Sequence, residues 1–133
     1  MNYFFKHLFS YFFIGIVATI IFIFYLKTTT YSGGEIGMTP FLIALYSLIV
    51  IGITSAIILI LKIIGIEISI LKSSLLFSII YLLLLIFYFD ANPFKTNEYL
   101  GDVNLWMFLS EILSFLILNA GIIIRKKNIN FNT

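Results

Sequence analysis

One carboxyl side chain stands out in this chain as a group that could do chemistry. Glu111 is the ninth residue of the apolar run 103–124, and it is the only ionisable residue well inside such a run. At about 1.5 Å of rise per helical residue, it lies about 12 Å from the start of the run. A charged side chain at that depth in a membrane is costly, and such residues usually mark ion or proton sites. Glu111 is therefore the first candidate for a functional residue.

Polar residues at matching positions extend this candidate site. Asn104 and Ser114 lie at offsets of −7 and +3 from Glu111, which places all three on nearly the same face of a helix. Four residues of the other apolar runs lie at a comparable depth: Thr19, Ser47, Ser78 and Tyr81. We expect Glu111 to form a hydrogen bond with at least one of these four.

Two interpretations of Glu111 compete. In the first, it is a proton-binding or cation-binding carboxylate of a small transporter. In the second, it is an uncharged glutamic acid that holds helices together through a buried hydrogen bond. The half of the bundle nearer the termini offers few polar groups for a transport path, mainly Thr54, Ser55 and Asn119. We expect His7, next to Lys6 at the membrane boundary, to be solvated. The second interpretation is favoured.

The elements that must position these residues are four apolar runs, at 8–26, 41–61, 73–89 and 103–124. Crossing the hydrocarbon core of a bilayer takes about 20 apolar residues of α-helix, and the four runs meet that length. Charged residues make up 11% of the 133 residues, against about 25% in soluble domains. The sequence predicts an all-α integral membrane bundle of four transmembrane helices, forming a single domain over residues 1–133.

The distribution of lysine and arginine predicts the orientation of this bundle. Six of the eight basic residues lie at the two termini or in the second loop, and only Lys27 and Lys95 lie in the first and third loops. Because cytoplasmic loops carry the excess of Lys and Arg, we expect both termini in the cytoplasm. Seven lysines against one arginine, with abundant Ile, Phe and Asn, indicate AT-rich coding. We expect the plasma membrane of a bacterium.

Local signals predict where the helices begin and end. Thr39 and Pro40 mark a helix start, with Thr39 as the cap. Asn92 and Pro93 are expected to end the third span, and Asp102 to cap the fourth. Residues 64–70 alternate between isoleucine and other residues, which is typical of a strand. A strand in lipid would leave backbone groups unpaired, so we favour a turn at Gly65.

The remaining inventory argues against several function classes. The chain has one histidine, no cysteine and no basic cluster longer than 125–127, so neither an enzyme, nor a metal or other cofactor, nor a nucleic-acid partner is expected. We expect an accessory or interaction subunit that binds the lipid bilayer and either a larger membrane protein or further copies of itself. The alternative is a small homo-oligomeric transporter or flippase with Glu111 as its coupling group. No motif identifies a family.

Overall fold

Four long helices make up most of the described chain. The computed structural model describes residues 2–30, 34–95 and 100–131. Its helices are α1 (Tyr3–Thr28), the short α2 (Gly34–Gly37), α3 (Thr39–Ile63), α4 (Ile70–Phe87) and α5 (Gly101–Phe131), and these described ranges contain no strand. Each long helix has the length and apolar composition needed to cross a membrane. The predicted all-α fold with four membrane spans is confirmed.

The helices are generally longer than the apolar runs. α1 begins at Tyr3 rather than residue 8, and α5 continues beyond residue 124 through the basic stretch 125–127 to Phe131. Helical hydrogen bonding does not stop where apolar residues stop, because polar residues also form helix once it has nucleated. Only α4 is shorter at one end, finishing at Phe87 instead of residue 89.

The helices begin and end close to the predicted positions, but the predicted capping groups are not always the ones that the structure uses. α3 does begin at Thr39 with Pro40 in its first turn. The Thr39 hydroxyl, however, donates to the Ile36 carbonyl at 2.7 Å, so the predicted cap by its side chain is wrong. α4 ends before Asn92 and Pro93, and Asp90 then adopts a left-handed conformation at φ +50°. α5 begins at Gly101, so Asp102 lies inside its first turn and the predicted cap by Asp102 is wrong, although its charge does meet the positive end of the helix dipole.

The alternating segment forms a turn and an irregular loop. Gly65 has φ +82°, a left-handed conformation that favours glycine, and its N–H donates to the Lys62 carbonyl at 3.0 Å. The backbone of Ile68 pairs with the Tyr3 hydroxyl, which donates to its carbonyl at 3.0 Å and accepts from its N–H at 2.9 Å. The Tyr3 hydroxyl thus forms the two backbone hydrogen bonds that a neighbouring strand would form in a sheet. The predicted turn at Gly65 is confirmed.

α1 packs against all three other long helices, most extensively against α3 and α5. α4 likewise contacts α1, α3 and α5, so the four spans form one bundle. α1 and α3 approach each other closely at Gly15, where an added Cβ would lie 3.0 Å from the Ser47 Cβ. We call the end that holds the start of α1 and the loop 64–69 the terminal end. The opposite end, where Tyr25 stacks on Trp106 with ring centroids 4.6 Å apart, is the far end.

Candidate functional site

Glu111 lies inside the bundle and is bonded to a neighbouring helix. Its side chain is only 1% exposed, and the Ser78 hydroxyl of α4 donates to its Oε1 at 2.6 Å. The expected hydrogen bond to one of the four residues at matching depth is thereby confirmed. The second carboxyl oxygen, Oε2, is buried and has no hydrogen-bond partner among the described residues. One carboxyl oxygen is therefore hydrogen-bonded to Ser78, and the other is available to bind a proton or a cation.

Tyr81 is the other buried polar side chain of α4 that interacts with this carboxyl group, at longer range. It lies one turn beyond Ser78 on the same face of α4 and is fully buried. Its hydroxyl is within electrostatic range of Glu111 and of Tyr46, yet no described residue forms a hydrogen bond with it. Ser78 and Tyr81 are thus the two predicted residues of α4 that the fold brings to Glu111.

The other predicted residues are placed differently. Ser114 is fully buried beside Glu111, but its hydroxyl donates to the Ser110 carbonyl of its own helix at 2.7 Å. Asn104 is half-buried and lines a cavity of about 360 Å³ at the far end, together with Thr39 and Met107.

Thr19 and Ser47 face each other rather than Glu111. They line a second cavity of about 220 Å³ between α1 and α3. The Thr19 hydroxyl donates to the Gly15 carbonyl at 2.8 Å. Equal depth therefore did not bring these two residues, or Asn104, to the carboxyl group.

His7 corrects an expectation drawn from the sequence. It is buried, with 2% of its surface exposed, and its Nδ1 lies 2.6 Å from the Ser73 Oγ. The prediction of a solvated side chain is wrong because α1 begins at Tyr3 and the loop 64–69 closes over this end of the bundle. The Ser73 hydroxyl donates to the Ile70 carbonyl at 3.0 Å, so the His7 Nδ1 is the donor to Ser73 and its Nε2 is an acceptor.

A spacing in the sequence carries the signal for this burial. Tyr3, His7 and Tyr11 recur every four residues, which places three aromatic rings with polar edges on one face of α1. In the structure the Tyr3 and His7 ring centroids are 4.4 Å apart, and Tyr11 stacks on Phe77 at 5.4 Å. Tyr11 is fully buried near Ser73, and its hydroxyl has no described hydrogen-bond partner.

Asn119 of α5 is bonded to α4 at Ser74, between Ser73 and Ser78. Its Nδ2 donates to the Ser74 Oγ at 3.3 Å and to the Phe115 carbonyl at 2.8 Å, and its Oδ1 is buried with no described partner. The Ser78 hydroxyl is also 3.2 Å from the Ser74 carbonyl. We call the following set the polar column: His7, Tyr11, Ser73, Ser74, Asn119, Ser78, Glu111 and Tyr81.

The polar column is short and closed at one end. Ser78 lies five positions after Ser73 on α4, which corresponds to a rise of about 7.5 Å. Beyond Glu111 and Tyr81, towards the far end, the buried side chains of α1, α4 and α5 are Ser110, whose hydroxyl donates to the Trp106 carbonyl of its own helix, and five apolar residues: Ala18, Phe22, Leu85, Val103 and Met107. The arrangement can hold a proton on a carboxyl group and connect that group by polar side chains to the terminal end.

Metal binding and similarity to known proteins add no further assignment. In the part of the chain that the structure describes, no three His, Cys, Asp or Glu side chains are grouped so as to hold a metal ion. No protein-family model matches this chain, and no similar protein was found among curated proteins or solved structures.

Proposed function

We propose that this chain is a small membrane transporter, working as a homo-oligomer, in which Glu111 binds and releases the coupling ion. The observation that supports this most is the free carboxyl oxygen Oε2, buried where the polar column ends. Ionisable groups inside a membrane are costly and commonly mark ion or proton pathways. A bundle of four helices is too small to enclose a substrate path by itself, so two or more copies would form it.

The main argument for preferring the accessory role over transport no longer holds. The preference for an accessory role depended on a shortage of polar groups in the half of the bundle nearer the termini. That premise is wrong, because His7, Tyr11, Ser73 and Ser74 are buried there beside Asn119. A polar connection between Glu111 and the terminal end therefore supports transport.

An accessory or interaction subunit is the second candidate function. It is supported by the packing of Glu111, whose hydrogen bond to Ser78 ties α5 to α4. Neither of the two cavities described above includes Glu111 among its lining residues. In this role the carboxyl group stabilises the bundle, and the function belongs to a larger membrane partner.

For either function we propose the plasma membrane of a bacterium, with the terminal end in the cytoplasm. Lys6, Lys62, Lys72 and the basic stretch 125–127 all belong to that end, whereas Lys27 and Lys95 belong to the far end. This distribution supports a cytoplasmic position for both termini.

The experiment that separates the two functions compares Glu111→Gln with the wild type. Each full-length protein is reconstituted into vesicles of phosphatidylethanolamine and phosphatidylglycerol that contain a pH-sensitive dye. Proton uptake is then driven by a potassium diffusion potential. We expect uptake above that of protein-free vesicles for the wild type and uptake at that background level for Glu111→Gln.

Ser55→Ala is the matched control, because Ser55 is also buried with an unpartnered hydroxyl but lies on α3 outside the polar column. Its uptake should equal that of the wild type. Wild-type uptake in Glu111→Gln would reject the transport proposal. The accessory role would then be supported if the native complex contained a stoichiometric larger protein and Glu111→Gln lowered only its thermal stability.

A further inference from the structure

Resting on the role proposed for Glu111, we infer that its coupling ion is a proton and that, in this conformation, the proton exchanges with water at the terminal end by way of the polar column. His7 is the entry group and Glu111 the final acceptor. The mainly apolar side chains beyond Glu111 close the route to the far end in this conformation, so transport requires a second conformation in which Glu111 exchanges its proton with that end.

The first support is the position of the unpartnered buried oxygens. Five buried side-chain atoms have no hydrogen-bond partner among the described residues, and four of them belong to the polar column. These four are the Tyr11 hydroxyl, the Asn119 Oδ1, the Glu111 Oε2 and the Tyr81 hydroxyl. Because buried polar groups are normally paired with protein or with ordered water, such clustering favours internal water between these side chains. Water and hydroxyl groups together form a path along which protons can move.

The second support is the state of His7 at the start of the column. Since its Nδ1 donates to Ser73, its Nε2 has a free lone pair that can accept a proton from water. Binding at Nε2 gives an imidazolium ion, and release of the Nδ1 proton into the column returns the ring to its neutral form. Each transfer forms one N–H or O–H bond and breaks another, and the sequence ends with one added proton on the Glu111 carboxylate.

Tyr3 and its partners stand at the entrance of this path. The Tyr3 ring packs edge-on against His7, and its hydroxyl is held by the backbone of Ile68. Lys62 lies with its Nζ 5.2 Å from the centre of the same ring. The titratable groups that face the column or its entrance are Tyr3, His7 and Tyr11 of α1, Tyr46 and Lys62 of α3, Tyr81 of α4, and Glu111 of α5.

The ligand inventory around Glu111 favours a proton over a metal cation. The side chains with oxygen atoms near the carboxyl group are Ser78, Tyr81 and Ser114. The Ser78 hydroxyl already donates to the carboxyl group, and the Ser114 hydroxyl donates to its own helix. Hard cations such as Ca²⁺ and Mg²⁺ take about six or more oxygen ligands. A carboxyl group that is 1% exposed, with one unpartnered oxygen and only hydroxyl groups near it, suits a proton.

The test measures how fast, and from which side, Glu111 takes up a proton. The full-length protein is reconstituted into phosphatidylethanolamine and phosphatidylglycerol vesicles, and the outer pH is lowered by rapid mixing. The infrared band of a protonated carboxyl group, assigned by its loss in Glu111→Gln, is followed in time. Trypsin then cleaves the exposed basic stretch 125–127 in molecules whose terminal end faces outwards, and this gives their fraction.

We expect the fraction of Glu111 protonated promptly to equal the fraction that trypsin cleaves. His7→Ala should slow this prompt phase by about a hundredfold, the lower end of the range for losing a proton-transfer group, while the final pH midpoint stays the same. Added imidazole should restore the rate, which a purely structural role of His7 would not allow. Ser55→Ala should behave as the wild type.

Three outcomes would overturn this inference. They are a prompt fraction equal to the uncleaved molecules, prompt protonation of all molecules, and an unchanged rate in His7→Ala. These outcomes are separate from a failure of the transport proposal, since Glu111 can take up protons from the terminal end even when the vesicles show no potential-driven uptake. Uptake that depends on Glu111 but is unaffected by His7→Ala would leave transport standing and reject this route.

Discussion

Replacing Ser78 with alanine should destabilise the bundle by removing one hydrogen bond between α4 and α5. The lost contact is the 2.6 Å bond from the Ser78 hydroxyl to the Glu111 Oε1. Hydrogen bonds between helices in membrane proteins contribute about 0.6 kcal/mol on average and up to about 1.7. A buried polar group left without a partner costs about 1–3 kcal/mol. Because Ser78→Ala leaves both carboxyl oxygens without a described partner, we expect a loss of about 1–2 kcal/mol.

The measurement is reversible unfolding in mixed micelles with increasing sodium dodecyl sulfate. Trp106 is the only tryptophan of the chain, and its ring stacks on Tyr25 across the contact between α1 and α5. Its fluorescence therefore reports separation of these helices. The free energy of unfolding is compared between the wild type and the variant at equal lipid content.

Ser110→Ala is the control for the loss of the hydroxyl group itself. Ser110 is also fully buried, but its hydroxyl donates to the Trp106 carbonyl of its own helix at 2.7 Å. That carbonyl keeps its helical partner, so we expect a change below about 0.5 kcal/mol, the low end for a net hydrogen bond. If the two serine variants differ by less than about 0.3 kcal/mol, the bond to Glu111 contributes no more than any buried hydroxyl and the reasoning fails.

Further perturbations test the close contacts of the fold. Gly15→Ala should destabilise the bundle by about 1–3 kcal/mol, since its Cβ would meet the Ser47 Cβ at 3.0 Å, whereas Gly52→Ala, with nothing within 4 Å, should be close to neutral in the same unfolding assay. Tyr3→Phe should speed amide hydrogen exchange in the loop 64–69, because the Ile68 backbone loses both of its hydrogen bonds to the Tyr3 hydroxyl. Unchanged exchange would show that these two bonds do not hold the loop in place. Gly65→Ala should lower stability by about 1 kcal/mol because of its φ of +82°, and equal stability would contradict the left-handed turn.

The sequence predicts four candidate partners of Glu111, one of which is Ser78, because the rise of a helix is fixed. Counting residues from the ends of apolar runs gives each polar group a depth, and Ser78 has the depth of Glu111. The depth of a residue does not tell which neighbouring helix its side chain faces. That depends on the rotation of each helix about its own axis, which side-chain packing between neighbours determines. Thr19 and Ser47 share that depth, yet they face the contact between α1 and α3, where Gly15 allows close approach.

The burial of His7 could not be derived from its neighbourhood in the chain. Beside Lys6 and close to the N-terminus, a lone histidine has the surroundings of a solvated residue. Its partner Ser73 lies 66 residues away, and its cover is the loop 64–69 held by Tyr3. Contacts of such long range are set by the tertiary fold, so only the spacing of Tyr3, His7 and Tyr11 pointed to a buried face.

The central position of α1 has a consequence for how the protein is made. α1 leaves the ribosome before the other three long helices, yet it packs against each of them. The serine that binds His7 is synthesised 66 residues after it. At about 5–20 residues per second this takes about 3 to 13 s. During that interval the polar face of the first span has no partner, so lipid headgroups or the insertion machinery must accommodate it until α4 arrives.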